Sequence, residues 1–214
     1  MSCGMKSIIR SKPKFIEIIT GTIALIVVLA SQPLISQGAA PQNETDPNKL
    51  PGIQMGPAPW IAEVENLLAR LDAIHLPALT AEGNKLHIHQ HLDLIINGAP
   101  VIVPADIGIN YIARFISPLH THDETGIIHV ESDEVRDFTL GEFFDVWGVR
   151  FTKDCVGGYC AKGENALRVF VNGKPVAGDP RKLVLQPHQE IAVIYGSQAA
   201  FKSVPSTYQF PPGT

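Results

Sequence analysis

The sequence predicts an α+β fold, made mainly of antiparallel β-hairpins with one or two packing helices and preceded by an N-terminal hydrophobic helix. Two similar segments, 92–104 (LDLIINGAPVIVP) and 167–179 (LRVFVNGKPVAGD), indicate the hairpins. Each places Asn-Gly after an apolar run, and this dipeptide supplies the positive φ angles that a type I′ turn requires. Strand-like segments follow one another with few helical ones between them. A small sandwich or roll with peripheral helices is the alternative.

Length and composition are those of one globular domain with an additional segment. The chain has 214 residues, of which 45% are apolar and 18% are charged, and this length is too short for two full domains of ordinary size. The net charge of -4 and the pI near 6.0 provide no basic surface for nucleic acid. We therefore expect no nucleic-acid partner.

Residues 1–40 are predicted to be a signal peptide or a membrane anchor. The stretch Ile18–Ile35 is uncharged and almost entirely apolar, and a basic, acid-free segment lies near the N-terminus. This order places the N-terminus in the cytoplasm and the body outside. The stretch is longer than most signal-peptide cores and slightly shorter than the roughly 20 residues of a membrane span, so cleavage and anchoring both stay open. We expect a secreted or membrane-anchored protein whose body is extracytoplasmic, with residues 18–35 in the bilayer if uncleaved.

The remaining chain divides into three parts by composition. Residues 41–58 are polar and proline-rich and are predicted to be a linker. Residues 59–196 contain the periodic segments and are predicted to form the extracytoplasmic α+β domain, and 197–214 are predicted to be an irregular tail. The domain begins with a predicted amphipathic helix over 59–74, in which apolar residues recur at spacings of three and four. Its apolar face is expected to pack on the sheet.

Two further elements are predicted toward the C-terminus. In FTLGEFFDVWG, Thr139 and Glu142 have the spacing of a capping box, in which each side chain bonds the backbone N–H of the other residue. A short helix is therefore expected directly after Thr139. The segment KLVLQPHQEIAVIYG, at 182–196, is expected to supply one or two more strands.

Six of the eight histidines lie in two short segments, KLHIHQHLDL at 85–94 and LHTHDETGIIHVES at 119–132. Because alternate residues of a strand project to the same side, the first segment presents a polar row opposite an apolar face. That row contains His87, His89, His91 and Asp93. A buried structural histidine would be expected among the apolar residues instead. The whole row is thus predicted to lie away from the core.

The second histidine segment is predicted to be a hairpin whose loop decides where its side chains project. His120 and His122 share one face of their strand, and so do His129 and Glu131. Loops of two or four residues put both pairs on the same side of the hairpin, in different registers. A three-residue loop with Gly126 in a bulge puts them on opposite sides, because a one-residue slip reverses every side chain. The sequence leaves these possibilities open.

Together, the two histidine segments predict a transition-metal site. Imidazoles two residues apart on a strand can bind one ion, and imidazole with carboxylate suits Zn(II), Cu(II) or non-haem iron. No methionine lies near the segments to favour Cu(I), so Zn or Cu(II) is predicted. The predicted ligands are His87, His89, His91, His120, His122, His129 and Glu131. Asp93 and Asp123 are predicted to orient ligand imidazoles from outside. A hydrogen-bonded histidine ladder without metal is the alternative.

Cys155 and Cys160, in CVGGYC, are predicted to form a disulfide. They are the two cysteines of the body, and thiols outside the cytoplasm tend to pair. Metal binding by the pair is the second interpretation, but its spacing differs from that of a zinc knuckle and no second pair accompanies it.

Three motifs resemble those of a family of uncharacterised exported or membrane-anchored prokaryotic proteins. HIHQHL, LHTHDETGIIHVE and LGEFFDVWG are similar to the family patterns HxHxHL, LHTHDxxGxIHxE and LGxFFxxWG. The likeness covers about residues 78–196 and groups the histidines, but it implies no activity. The matching positions are His87, His89, His91, His120, His122, Asp123, His129 and Glu131. At Phe115 the family pattern is expected to carry cysteine, so any role of that cysteine is missing here.

Three functions follow as hypotheses. The first is an extracytoplasmic binding module that stores, buffers or delivers Zn or Cu. The second is a metal-dependent hydrolase-type enzyme, in which a histidine-bound metal activates water and Asp123 or Glu131 acts as general base. The third is a structural or adhesion domain without metal. We favour the binding module, because no nucleophile motif, phosphate loop or paired-carboxylate motif adds to the enzyme hypothesis.

Overall fold

The computed structural model describes Met1 and residues 45–214. The hydrophobic stretch Ile18–Ile35 and its basic flank lie outside the described residues, so a signal peptide or anchor stays a prediction. Within the described part, no helix combines the length and the apolar character needed to cross a membrane.

A seven-stranded sheet forms the centre of the fold, and most of its strand pairs are antiparallel. Its strands are β1 (Leu86–Ile96), β2 (Ala99–Val101), β5 (Leu119–His120), β6 (Ile127–Ser132), β9 (Ala166–Val171), β10 (Lys174–Pro175) and β11 (Glu190–Gly196). Two small ladders join β3 (Ile109–Asn110) to β4 (Phe115–Ile116) and β7 (Cys155–Val156) to β8 (Tyr159–Cys160). The helices are α1 (Leu67–Ala73) and α2 (Leu140–Trp147), with 3₁₀ turns at Pro180–Lys182 and Gln198–Phe201. The predicted α+β class is confirmed.

The strand order is β10-β9-β11-β1-β6-β5, and β2 also pairs with β1. The β1–β11 pair is parallel, which hairpins alone do not predict. On its other edge β1 pairs with β6 up to His91 and with β2 from Leu94 onward. His91 is therefore the residue at which β1 acquires β11 as a neighbour, opposite Glu190.

Both predicted Asn-Gly turns are present. Asn97 and Gly98 have φ angles of +54° and +82°, and Asn172 and Gly173 have +50° and +76°. Positive φ at both central residues is the requirement of a type I′ turn. The first hairpin is short, since β2 ends at Val101.

The two faces of the sheet differ as the alternation in β1 predicts. Leu92, Leu94 and Ile96 are buried in the main core, which both helices cover. The histidines of β1 project to the other face, where a smaller apolar cluster around Phe170 and Ile194 lies against the C-terminal tail. The metal-ligand candidates thus lie outside the main core.

Helix α2 begins with the predicted capping box. The Thr139 hydroxyl accepts a hydrogen bond from the Glu142 N–H (3.2 Å), and the Glu142 carboxylate accepts one from the Thr139 N–H (2.8 Å). Phe143, Phe144 and Trp147 are buried in the core. The helix ends at Gly148, whose φ of +75° gives a left-handed cap.

The helix predicted over 59–74 is helical only in its C-terminal half. In the first half, side chains rather than helix bonds satisfy the backbone. The indole N–H of Trp147 donates to the carbonyl of Ile61 (3.0 Å), and the buried guanidinium of Arg70 donates to the carbonyl and the carboxylate of Glu63. The contacts made by the side chains of Trp147 and Arg70 outweigh the local periodicity, so the helix starts late.

The segments predicted as linker and irregular tail both pack on the domain, as far as they are described. Gln54 exchanges backbone hydrogen bonds with Gly148 and Arg150, parallel to the chain after α2. In the tail, Tyr208 stacks on His91 with ring centroids 3.7 Å apart. The folded unit consequently extends beyond the predicted boundaries of 59 and 196 in both directions.

Candidate metal centre

Three strands bring the two histidine segments together on the face opposite the main core. The antiparallel register of β1 and β6 pairs His87 with Glu131 and His89 with His129. On the other side of β6, β5 pairs His120 with His129. Since directly paired residues project to the same side of a sheet, these side chains converge.

The connection between β5 and β6 takes one of the forms that keep the ligands together. The register leaves residues 123–126 as a four-residue loop, and His122 stays on the same face as His129. Asp123 closes this loop by accepting hydrogen bonds from the N–H (2.9 Å) and the hydroxyl of Thr125. These bonds, the hydroxyl bond first, lower the pKa of Asp123. Asp123, predicted to orient an imidazole, therefore holds its own turn.

Six of the seven predicted ligands form what we call the histidine cluster, defined as His87, His89, His120, His122, His129 and Glu131. It divides into two sets of four, each with ligand atoms within 4.8 Å of one another. Both sets contain His129 and Glu131. The first adds His87 and His89, whose Nε2 atoms are 3.2 Å apart. Nε2 of His87 is also 3.2 Å from Oε1 of Glu131.

The second set of the histidine cluster adds His120 and His122. Their Nε2 atoms are likewise 3.2 Å apart. Nε2 of His120 is 4.0 Å from Oε1 of Glu131. The ring of His129 lies between the two sets, with its centroid 4.5 Å from those of His89 and His122.

Hydrogen bonds orient two of the imidazoles. Nδ1 of His120 donates to the carbonyl of Ser117 (3.0 Å), and Nδ1 of His129 donates to Oε1 of Glu131 (3.0 Å). A proton on Nδ1 leaves the lone pair of a neutral imidazole on Nε2, the atom available to a metal. Carbonyl and carboxylate partners of this kind fix the tautomer of histidine ligands in many metal sites.

The electrostatics keep His89, His120 and Glu131 in the protonation state that binds metal. Burial, together with the neighbouring His129 and His87, lowers the pKa of His89 to about 4. Burial lowers the pKa of His120 to about 3 against the opposing charge of Glu131. Burial would raise the pKa of Glu131, but the hydrogen bond from His129 and the surrounding imidazoles lower it to about 2. Neutral imidazoles and an ionised carboxylate are what a metal requires.

The histidine cluster has a buried floor and an open rim. The side chains of His120 and Glu131 are 0% and 4% exposed, whereas those of His87 and His122 are 55% and 40% exposed. An ion can therefore reach the buried donors from solvent past either exposed imidazole.

His91, the seventh predicted ligand, does not join either set. Nδ1 bonds Oε2 of Glu190 (2.7 Å) and Nε2 bonds the carbonyl of Thr125 (2.9 Å). When Glu190 is ionised, both partners accept, so both ring nitrogens carry protons and His91 is an imidazolium ion. Burial opposes this charge, but the hydrogen bond and charge of Glu190 outweigh it and raise the pKa of His91. His91 is thus bonded to Glu190 outside the two sets of the histidine cluster, and its role as a metal ligand stays a prediction.

Asp93 lies with His91 and Glu190 in a third group whose ligand atoms are within 4.8 Å of one another and could hold an ion, separate from the two sets of the histidine cluster. The side chain of Glu190 is buried, and its Oε1 atom has no hydrogen-bond partner among the described residues. Because parallel pairing of β1 with β11 creates this group, the spacing in β1 could not indicate it. Asp93 is thus a neighbour of a buried ion pair rather than of the six clustered ligands.

Sequence reasoning missed several residues around the site. Glu82 has Oε1 3.4 Å from Nε2 of His122, and Ser117 and Tyr208 contact His120 and His91. Glu82 precedes the strand by only a few residues, and its acidity was the one available signal. The Ser117 contact is through its carbonyl, which every residue has, so no side-chain pattern could have indicated it.

Cys155 and Cys160 are joined as a disulfide that links β7 to β8. The guanidinium of Arg150 donates to Sγ of Cys160 (3.1 Å) and to the carbonyl of Gly157 (2.7 Å). The loop is therefore closed covalently and by hydrogen bonds. At Phe115, where cysteine is expected from the family resemblance, the aromatic side chain packs against the main core.

Comparisons with protein families, with curated proteins and with solved structures find no match to this chain. The resemblance to the exported prokaryotic family stays a prediction, and the geometry of the histidine cluster is the basis for a function.

Proposed function

We propose that this protein is an extracytoplasmic binding protein for a divalent transition metal, Zn(II) or Cu(II). One observation carries the proposal, the convergence of five imidazoles and one carboxylate from three strands onto one small region. Neutral imidazole and carboxylate are ligands that both ions accept. The extracytoplasmic location rests on the basic flank and the apolar stretch of residues 18–35.

The arrangement of donors favours metal binding over a purely structural ladder. A structural histidine is usually satisfied by backbone or carboxylate partners, as His91 is. In the histidine cluster, by contrast, Nε2 atoms point at each other, at 3.2 Å between His87 and His89 and between His120 and His122. Without metal, each such contact is one N–H···N hydrogen bond, in which one imidazole donates and the other accepts. A bound ion would replace that proton and engage both lone pairs.

The same geometry favours a binding protein over a hydrolase. A water-activating enzyme needs a general base whose pKa is near the working pH. Asp123 is hydrogen-bonded within its own turn, and Glu131 has a pKa of about 2. Neither carboxylate is suited to that role. A ligand set rich in imidazoles is sufficient by itself for storage, buffering or delivery of the ion.

Metal analysis of the whole chain tests the proposal. The untagged protein would be purified from an exporting host without a chelating column, and Zn and Cu would be measured by mass spectrometry. We expect at least one near-stoichiometric ion in the wild type and its loss in the double variant His89→Ala/His122→Ala. His75→Asn, which removes an exposed imidazole elsewhere, is the matched control. A wild type that holds no metal and takes up neither Zn(II) nor Cu(II) would refute the proposal.

A further inference from the structure

We propose that the histidine cluster is a two-metal centre, which binds two divalent transition-metal ions per chain with Glu131 shared between them. The inference rests on the proposed function and extends it, because a metal-binding protein needs only one ion. The imidazoles lie in two pairs, the ligands divide into two sets, and the donors are more numerous than one ion needs.

Each of the two histidine pairs already has the spacing of one metal's ligands. Two nitrogens bound to a tetrahedral Zn(II) at about 2.0–2.1 Å are about 3.3 Å apart. The Nε2 atoms are 3.2 Å apart in the pair His87 and His89, and again 3.2 Å apart in the pair His120 and His122. Each pair can therefore supply two ligands to one ion. The first pair lies on β1, and the second lies at the C-terminal end of β5.

The two pairs are not members of a single set. Within the histidine cluster, each of the two sets of mutually close ligand atoms contains only one of the pairs, together with His129 and Glu131. One ion therefore cannot bind all four paired imidazoles where they stand. A single ion bound at one histidine pair would leave both Nε2 atoms of the other histidine pair without a metal.

Glu131 is positioned to serve both ions. Its Oε1 atom is 3.2 Å from Nε2 of His87 and 4.0 Å from Nε2 of His120, which belong to different pairs. A carboxylate has two oxygens and can bind one ion with each. Its negative charge would offset part of the positive charge of the ions.

The number of donors fits two four-coordinate ions with one position left over. The two pairs supply four nitrogens, Glu131 supplies two oxygens, and His129 supplies one nitrogen. Seven of about eight positions are thus filled for a tetrahedral pair, and the last would hold water. Glu82, with Oε1 3.4 Å from His122, lies close enough to neutralise further charge at the rim.

The test is a titration of the metal-free full-length chain with Zn(II) by calorimetry, and with Cu(II) by electron paramagnetic resonance. Single variants at the exposed rim, His87→Ala and His122→Ala, remove one ligand from each set with the least disturbance of folding. Glu131→Gln removes the shared carboxylate while keeping its shape, and His75→Asn is the control. Circular dichroism and the unfolding midpoint verify that each variant is folded.

We expect two Zn(II) per chain in the wild type and in His75→Asn. Each rim variant should keep one ion and bind the other at least tenfold more weakly. Two Cu(II) ions in one centre should also show spin coupling, which Glu131→Gln should reduce. Saturation of the wild type at one ion, or two ions unaffected by either rim variant, would overturn the two-metal centre alone. No binding of either metal would overturn the proposed function as well.

Discussion

His89 and His129 face each other across the β1–β6 ladder, with ring centroids 4.5 Å apart and ring planes perpendicular. The contact joins the histidine segment at 85–94 to the histidine segment at 119–132. It exists because the antiparallel register of β1 and β6 pairs the two residues on the face that the β1 histidines occupy. The pair is therefore the structural link between the two histidine segments of the sequence.

Replacing His89 by alanine should weaken Zn(II) binding more than loss of an outer hydrogen-bond partner does, which costs about 10- to 100-fold in affinity. The reason is that His89 contributes a neutral nitrogen, with a pKa of about 4, to the first set. A competition titration against a chromogenic chelator measures the change. An affinity equal to that of His75→Asn would contradict the assignment.

Replacing His91 by alanine should leave metal affinity unchanged and reduce the free energy of unfolding. The variant leaves the buried Glu190 carboxylate without its partner, and loss of one member of a buried ion pair costs about 3–5 kcal/mol. Urea unfolding of the metal-free protein measures it. The double variant His91→Ala/Glu190→Gln should lose less than the two single variants added together. Weakened metal binding in a folded His91→Ala protein would contradict this prediction and show that His91 is a metal ligand.

The metal-free protein should lose stability as the pH falls below 6.5, in part through His120. An imidazole in the unfolded chain binds a proton near pH 6.5, whereas burial holds the folded pKa of His120 at about 3. A depressed folded pKa gives stability that is complete above 6.5 and lost as the pH falls toward 3. At about 1.4 kcal/mol per pH unit, His120 alone accounts for about 2 kcal/mol between pH 7 and pH 5. Urea unfolding with a chelator present measures the free energy of unfolding at each pH. Its dependence on pH should be weaker in His120→Asn than in the wild type, and an equal dependence would show that His120 does not cause the loss of stability.

Gln90→Met should stabilise the protein by about 1–3 kcal/mol. Gln90 lies between His89 and His91 but projects to the core face, where both amide atoms are buried without a hydrogen-bond partner in the described residues. Methionine has a similar shape and carries no group that must be desolvated. The midpoint of thermal unfolding measures the gain, and metal content should stay unchanged. A lower midpoint would show that the amide makes hydrogen bonds in solution.

Replacing Cys155 and Cys160 by serine should keep the metal stoichiometry and lower stability by about 2 kcal/mol, as expected for a disulfide closing a very short loop. The two cysteines bind each other and contribute no donor to either histidine set. Metal analysis of the folded double variant distinguishes this from the interpretation of the pair as ligands. Loss of the metal in a folded variant would favour that interpretation.

Much of the site could be predicted because alternation along a strand is a local property. His87 and His89 fall on the polar face of β1 for the same reason that Leu92 and Leu94 fall on the core face. The Asn-Gly turns and the capping box at Thr139 are local as well, and the structure contains all three.

What the sequence could not predict depends on distant partners. His91 has the same local spacing as His89, but Glu190 is ninety-nine residues away, and only the parallel pairing with β11 brings it to His91. The first half of the 59–74 segment fits a helix by its periodicity, but the carbonyl of Ile61 accepts a hydrogen bond from Trp147, which is eighty-six residues away. The tail has no periodicity, although Tyr208 covers His91.

The most direct test of the central claim is anomalous X-ray diffraction from crystals of the protein grown with Zn(II), recorded on both sides of the zinc absorption edge. A two-metal centre predicts two anomalous peaks. One should lie about 2.0–2.1 Å from Nε2 of His87 and His89, and the other about 2.0–2.1 Å from Nε2 of His120 and His122. His91 should remain bonded to Glu190, without a peak beside it. Zinc found only at isolated surface residues such as His75, with none in the histidine cluster, would contradict the account.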